Sequence, residues 1–380
     1  MTDTWHRFSL NFTAGHFRND NRDYSFYFKL PLNLKHTSMD YRRAAYDGRS
    51  TRNSVLFEPY VKFTRKWHKG QRSVGLSYNM NMTPPDMVRL LDLTDDEDPL
   101  NITRGNPDLK TTTRHQFRLT ASNNSRRKQR TFSASLKYQH VLNAVAMGYA
   151  YNPATGVRRY RPQNVDGNNR LDANVAFSTP IDRKKHLKVS TKTDFARFHS
   201  VDLIGIDRTS AASYLSDVAA DVSPQRSTVN TVRLKERLDV EYSLGDLSVG
   251  FNGTAGWNSS RSRREGFRAV DVRTFNYGPT LKIGLPWGLK LATDLTVYTN
   301  RGFSEPSANT TDVVWNARLS KRFMGSRLTL SLDGFDILGQ LSNITHTLNS
   351  QGLTETWHNS LPRYVMAHLT WRFNKEPKKF

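Results

Sequence analysis

The sequence has no cysteine. That excludes disulfides, thiolate-ligated zinc and thiol catalysis. No run of about 18 apolar residues occurs, so no transmembrane helix is expected. This does not exclude a membrane. A strand that crosses a bilayer carries apolar residues only at alternate positions, so a mean hydropathy of −0.66 is compatible with a transmembrane barrel. The opening residues, MTDTWHRFSLNF, lack the charged start and apolar stretch of a secretory signal. Acidic residues are scarce, 34 against 56 Lys and Arg, for a net charge of +22. Such a surplus often marks nucleic-acid binding. Here the basic residues are spread along the whole chain, alternate with apolar ones, and form neither a basic arm nor a recognition helix, so no nucleic-acid partner is expected. The 11 histidines show no metal-protease spacing and join no recognisable serine motif. No catalytic residue, metal site or cofactor is therefore expected. The acidic run Asp95, Asp96, Glu97 and Asp98 lacks the spaced ligands and glycine of a calcium loop and reads as a solvated connection.

What the sequence has in abundance is alternation with period two. Tyr24, Phe26, Phe28, Leu30, Leu32 and Leu34 share one face, opposite Ser25, Tyr27, Lys29, Pro31, Asn33 and Lys35. Leu247, Val249, Phe251, Gly253, Ala255 and Trp257 alternate with polar or small residues in the same way, as do Leu328, Leu330 and Leu332. The last such stretch places Val365, Ala367, Leu369, Trp371 and Phe373 on one face. Successive side chains of a strand point to opposite sides, so each stretch is a half-apolar strand. The pattern predicts strands at 5–14, 22–36, 53–66, 71–82, 112–124, 129–143, 168–180, 186–200, 227–244, 246–259, 267–285, 287–300, 311–323, 326–338 and 363–374. Many reach the roughly 9–11 residues that a tilted membrane-crossing strand needs, whereas strands of soluble sandwiches are usually about 5–6.

The connections alternate in length. Short ones fall at Lys66–Gln71, Ser122–Lys128, Ile181–Lys185, Gly245 with Asp246, around Pro286, and at Met324–Ser326. Long ones fall at His36–Arg52, Thr83–Thr111, Ala144–Gly167, Val201–Arg226, Asn300–Thr310 and Gly339–Pro362. Tight turns at one rim and long loops at the other are the outer-membrane pattern, turns in the periplasm and loops outside. Trp67, Trp287 and Phe323 lie beside the expected periplasmic turns, where an aromatic girdle is placed. An odd number of strands leaves the first one starting outside. Bacterial barrels have even strand numbers and no open edge in lipid, so at least one preceding strand and the export signal are expected upstream of Met1.

Two stretches carry a resemblance. Thr83 to Lys110 contains Pro84 and Pro85, then Asp98, Pro99, Leu100 and Asn101, then Gly105, Asn106, Pro107, Asp108, Leu109 and Lys110. LTLSLDGFDIL (328–338) and RYVMAHLTWRFN (363–374) look like a penultimate and a closing strand. Together they resemble the TonB-dependent receptor superfamily, in its outer-membrane β-barrel branch, over residues 50–380. In that branch Pro-Glu commonly follows the lysine; here Thr111 and Thr112 stand instead.

The resemblance implies an all-β, antiparallel transmembrane β-barrel of about 22 strands, with residues 1–380 supplying about fifteen of them. It also implies a plug domain and a TonB box, neither of which lies in these residues. The implied function is import of a nutrient (siderophore, vitamin, glycan or peptide) across the cell outer membrane, not enzymatic chemistry. The implied partners are outer-membrane lipid and lipopolysaccharide, the barrel-assembly machinery, the TonB complex acting through the plug, and the nutrient. A plug-less porin or structural barrel is the alternative. The arginines at 158, 159, 161, 261, 263 and 264 fall in expected outer loops and suit lipopolysaccharide, an anionic ligand or water equally. Gly105, Asn106 and Pro107 are turn-formers, expected to close a loop rather than to bind.

Overall fold

The computed structural model describes residues 2–19, 22–43, 46–206, 225–264, 267–341, 344–348, 353–357, 361 and 363–373. Its strands are β1 (Thr2–Asn19), β2 (Arg22–Arg43), β3 (Tyr46–Phe57), β4 (Tyr60–Trp67), β5 (Arg72–Thr83), β6 (Thr94–Asp95), β7 (Asn101–Arg104), β8 (Thr112–Ser125), β9 (Arg130–Leu142), β10 (Ala144–Tyr151) and β11 (Arg158–Val165). They continue with β12 (Asn168–Pro180), β13 (Leu187–Ile206), β14 (Gln225–Leu244), β15 (Leu247–Ser262), β16 (Val270–Gly284), β17 (Leu289–Arg301), β18 (Thr311–Phe323), β19 (Leu328–Phe335), β20 (Ile344–Leu348), β21 (Leu353–Trp357) and β22 (Tyr364–Trp371). Twenty of them form one sheet, and β20 and β21 pair with each other in a second.

The wall of this sheet is an antiparallel meander in chain order: β1, β2, β3 with β4, β5, β8, β9, β12 through β19, and β22. β3 and β4 both pair with β2 and are halves of one strand, broken at Glu58–Pro59. Pro59 has no N–H to give to a ladder, which is why the break falls there. Counted so, the wall has fifteen strands among the described residues, each overlapping one of the stretches that alternation predicts.

The register explains the alternation. Residues directly opposite in an antiparallel pair share a face. One such row runs Phe26, Phe63, Leu76, Leu119, Leu136, Ala173, Phe195, Leu234 and Trp257. Nearly all of its large members are exposed. An apolar belt so wide is not a surface that faces water. The opposite face is polar and tied by cross-strand pairs. Lys137 lies 3.4 Å from Asp172 of the next strand, and Asp194, which accepts across the strands from Asn174 at 2.6 Å, also meets Lys192 of its own strand at 3.1 Å. Asp333, almost fully buried, accepts from Arg318 and meets His368 at 3.0 Å.

One rim carries the tight turns, 68–71, 126–129, 181–186, 245–246, 285–288 and 324–327. Left-handed backbone recurs in them, at His68, Lys69, Gln129, Lys185 and Gly325 among others. That conformation lets a short turn follow the right-handed twist of its strands.

Several long connections are more ordered than the sequence suggests. His36–Arg52 is largely strand, since β2 continues to Arg43 and β3 begins at Tyr46. Ala144–Gly167 contains the hairpin β10–β11. Beyond the apolar belt a strand needs no apolar face, so the alternation fades while the ladder goes on. The two C-terminal strands are shorter than expected, and Phe373 lies past the end of β22. Residues 207–224 of the connection Val201–Arg226, part of Gly339–Pro362, and Asn374 lie outside the described residues.

Candidate functional site

At the long-loop rim, two connections fold into one cap. After β5, Pro84 and Pro85 end the ladder, and Asp86 caps a short turn, accepting from the Val88 N–H at 3.2 Å. Met87, Leu90, Leu91 and Leu109 then meet Met39 of β2 in a buried apolar cluster, with Tyr41, Leu93 and Val145 packed against it. This small core joins the loops to the far end of β2.

Backbone pairing completes the cap. β6 pairs with β7, β7 lies parallel to β11, β11 is antiparallel to β10, and β10 lies parallel to the last residues of β13. The result is a five-strand sheet standing on the wall. A second cluster, Val165, Val201 and Leu203, packs against Ala144 and Ala146 and fixes its base.

The residues singled out in the sequence take structural places in this cap. Asp98 accepts from the Leu100 N–H at 3.0 Å and from Asn101 Nδ2 at 2.7 Å. The Asn101 side-chain hydrogen bond first, then the Leu100 N–H, holds its carboxyl below the usual range. Pro99 and Leu100 are exposed, and the Leu100 carbonyl accepts from the Arg158 N–H at 2.7 Å. Gly105 is buried against the Leu91 carbonyl; an added Cβ would stand 1.7 Å from that oxygen, so no other residue fits. Asn106 donates from its backbone to the Arg89 carbonyl at 2.7 Å and from Nδ2 to the Pro162 carbonyl at 2.9 Å, while its Oδ1 accepts from the Asp108 N–H at 3.0 Å. Pro107 and Asp108 form the exposed bend. Leu109 is buried, and its carbonyl accepts from Arg52 at 2.9 Å. The Lys110 N–H donates to Asn164 Oδ1 at 2.7 Å, and Asn164 Nδ2 donates back to the Lys110 and Asn143 carbonyls. The Gly105–Lys110 motif is thus a clasp joining the two loops and β3.

Several of the remaining loop charges are paired. Asp92 forms a two-pronged pair with Arg104 at 2.7 and 3.1 Å, and that hydrogen bond lowers its pKa. Asp95 accepts from the Glu97 N–H. Among the described residues no group of carboxylates and histidines could hold a metal ion. Arg159 is buried within the hairpin, and Arg158 lies over the Tyr151 ring at 5.8 Å. Arg261 and Arg263 are exposed, and Arg264 lies over Phe267 at 5.7 Å. Val365, Ala367, Leu369 and Trp371 lie exposed on the apolar face of β22, away from the cap; Phe373 is exposed beyond it.

Sequence reasoning missed the hairpin β10–β11 and the roles of Asn164 and Arg52. The hairpin had a signal, Asn152-Pro153-Ala154-Thr155-Gly156 between two short stretches of strand-forming residues. Asn164 and Arg52 had none, because their partners are 54 and 57 residues away in the chain.

A sequence model of the outer membrane protein beta-barrel family matches residues 11–371. No curated protein and no solved structure matches the chain.

Proposed function

The chain belongs to the outer membrane protein β-barrel family and resides in the outer membrane, and on that premise we propose that it forms the wall and outer cap of a TonB-dependent nutrient importer. The observation that carries this reading is the cap. Two long connections interlock through a clasp, a shared sheet and their own apolar core. A receptor needs a preformed loop surface that meets its ligand. Long ordered loops of this kind are usually functional. The GNPDLK clasp itself supports the TonB-dependent branch through the resemblance of Gly105 to Lys110.

In this reading the apolar belt contacts lipid and the paired polar face lines the interior. The loop arginines at 261 and 263 meet lipopolysaccharide, and the barrel-assembly machinery inserts the wall. Capture occurs at the cap. Transport then depends on a plug domain that the inner-membrane TonB complex pulls. The nutrient belongs to the class of siderophores, vitamins, glycans or peptides.

The test is energy coupling in cells carrying the protein. Uptake of the nutrient that the parent strain needs it for should stop when TonB is deleted or the proton-motive force is collapsed. Uptake that persists, together with steady ion conductance of the purified protein in planar bilayers, would instead establish the plug-less porin.

A further inference from the structure

The tight-turn rim is not uniform in charge. Three neighbouring turns carry nearly all of its basic residues: Lys69 and Arg72; Arg126, Arg127, Lys128 and Arg130; and Arg183, Lys184 and Lys185. The one acid among them, Asp182, is turned inward to accept from the Leu187 N–H at 2.8 Å. The other three turns differ. Asp246 pairs with Lys290, 285–288 carries no charge, and 324–327 has one arginine. The three basic turns are contiguous because β5 pairs with β8 and β9 with β12. They also touch: the Asn124 N–H donates to the Gln71 carbonyl at 2.7 Å, and Lys185 Nζ to the Arg127 carbonyl at 3.2 Å.

Between the first two of these turns lies a cavity of about 470 Å³ lined by Lys69, Arg72, Asn123, Ser125, Lys128 and Arg130, among others. Register places it on the apolar side of the wall. Arg72 stands opposite Asn123, Asn123 opposite Phe132, and Arg130 opposite Ser125. The next residues along this face are Val74, Ala121 and Ala134, then Leu76, Leu119 and Leu136. Arg130 is fixed at this boundary, over the Phe177 ring at 6.0 Å and donating to Thr179 at 3.3 Å. A solvated cluster of cations would have no reason to sit where the apolar face begins.

We propose that this cavity binds the headgroup of an anionic glycerophospholipid of the leaflet at the turn rim. The phosphate is held by Arg72, Lys128 and Arg130, Asn123 and Ser125 supply hydrogen bonds, and the acyl chains lie on the apolar face past Ala121 and Ala134. The proposal rests on the turn rim facing the periplasm. Failure of that topology is read separately, as labelling of Ser326→Cys from outside the cell.

The test is native mass spectrometry of the full chain, released from detergent micelles supplemented with phosphatidylglycerol or phosphatidylcholine. The unaltered protein should retain phosphatidylglycerol at least about tenfold over phosphatidylcholine, since each basic residue at a membrane surface adds substantially to anionic-lipid affinity. The triple variant Arg72→Gln, Lys128→Gln, Arg130→Gln should lose that preference. The equally charged control Arg233→Gln, Lys235→Gln, Arg237→Gln, on the polar face of β14, should keep it, as should Arg72→Lys with Arg130→Lys. Heat-modifiable migration checks folding. If the triple variant does not fold, Lys69→Gln with Lys128→Gln, confined to the turns, should still weaken retention. Equal retention of both lipids by the unaltered protein, or undiminished preference in folded variants, overturns the proposal. Displacement of the lipid by an equimolar acidic peptide would do the same, assigning the site to a periplasmic protein.

Discussion

Leu369 and Thr370 are neighbours in β22 separated by the plane of the sheet. Leu369 stands opposite Leu330 on the apolar face, Thr370 opposite Thr329 on the polar one. An arginine on the lipid side costs about 2–4 kcal/mol at the bilayer midplane and less toward the turn rim, where Leu369 lies, and it costs little on a wet interior side. Leu369→Arg should therefore impair assembly more than Thr370→Arg, seen as a smaller heat-modifiable folded fraction; equal fractions would mean the faces are assigned wrongly. Glu236 is a charged residue on the apolar face, between Leu234 and Leu238. Its carboxylate accepts from Thr191 and Thr193 at 2.9 and 2.5 Å, which offsets part of the cost of placing it there. In the cap, Asp92 and Asp98 have pKa values lowered in the folded state, by Arg104 and by Asn101 with the Leu100 N–H. A lowered folded pKa contributes stability that is present above the unfolded value, about 3.9, and lost as pH falls through the folded one. The cap should thus be tight at neutral pH and loosen as the medium is acidified below about pH 4. Hydrogen-exchange protection of residues 84–111, taken relative to the intrinsic rate at each pH, should fall there in the unaltered protein. In Asp92→Asn, exchange should already be faster at neutral pH and respond less to acid; an unchanged pH response would remove Asp92 from the account.

Among the elements, strand existence was legible and strand extent was not. Within the belt one face must be apolar, so the sequence writes each strand as alternation, and β18 appears at its expected limits. Outside the belt β2, β3 and β13 continue on backbone pairing without an unbroken apolar face, so Lys, Asp, Arg and Thr alternate there with the occasional buried apolar residue. The turns were readable because a connection of a few residues between long alternating runs has one geometry. Their sidedness gives a topology test, made clean by the absence of cysteine. Asp96 is exposed in the cap and Ser326 is exposed in the turn between β18 and β19. Ser326 has φ of 69°, and Ser→Cys adds no backbone strain. On intact cells carrying the protein, a membrane-impermeant thiol reagent should label Asp96→Cys and spare Ser326→Cys. Labelling of Ser326→Cys alone would invert the wall.

At the scale of the molecule, fifteen antiparallel strands make β1 and β22 run in the same direction, and among the described residues no ladder joins them. Direct closure would be a parallel pair, whereas bacterial barrels are antiparallel throughout, and a free edge in hydrocarbon leaves its N–H and C=O groups without partners. We therefore expect another strand between β1 and β22 in the membrane. In the folded protein, cysteines replacing Phe8, Leu10 or Phe12 should not crosslink on oxidation to one replacing Val365 or Leu369. Leu330→Cys with Leu369→Cys, opposite each other in β19 and β22, should crosslink; a disulfide between the edges would show direct closure. The sequence by itself determined the all-β class, the fifteen strands, the two faces and the two kinds of rim, because each is written in a period of two and in the spacing of turns, both local quantities. Only the tertiary structure decided that Asn164 and Arg52 close the clasp, that β10 and β11 join β7 and β13, and that three basic turns form one arc. Those contacts depend on the registers that bring distant loops side by side, and register is set by the whole wall.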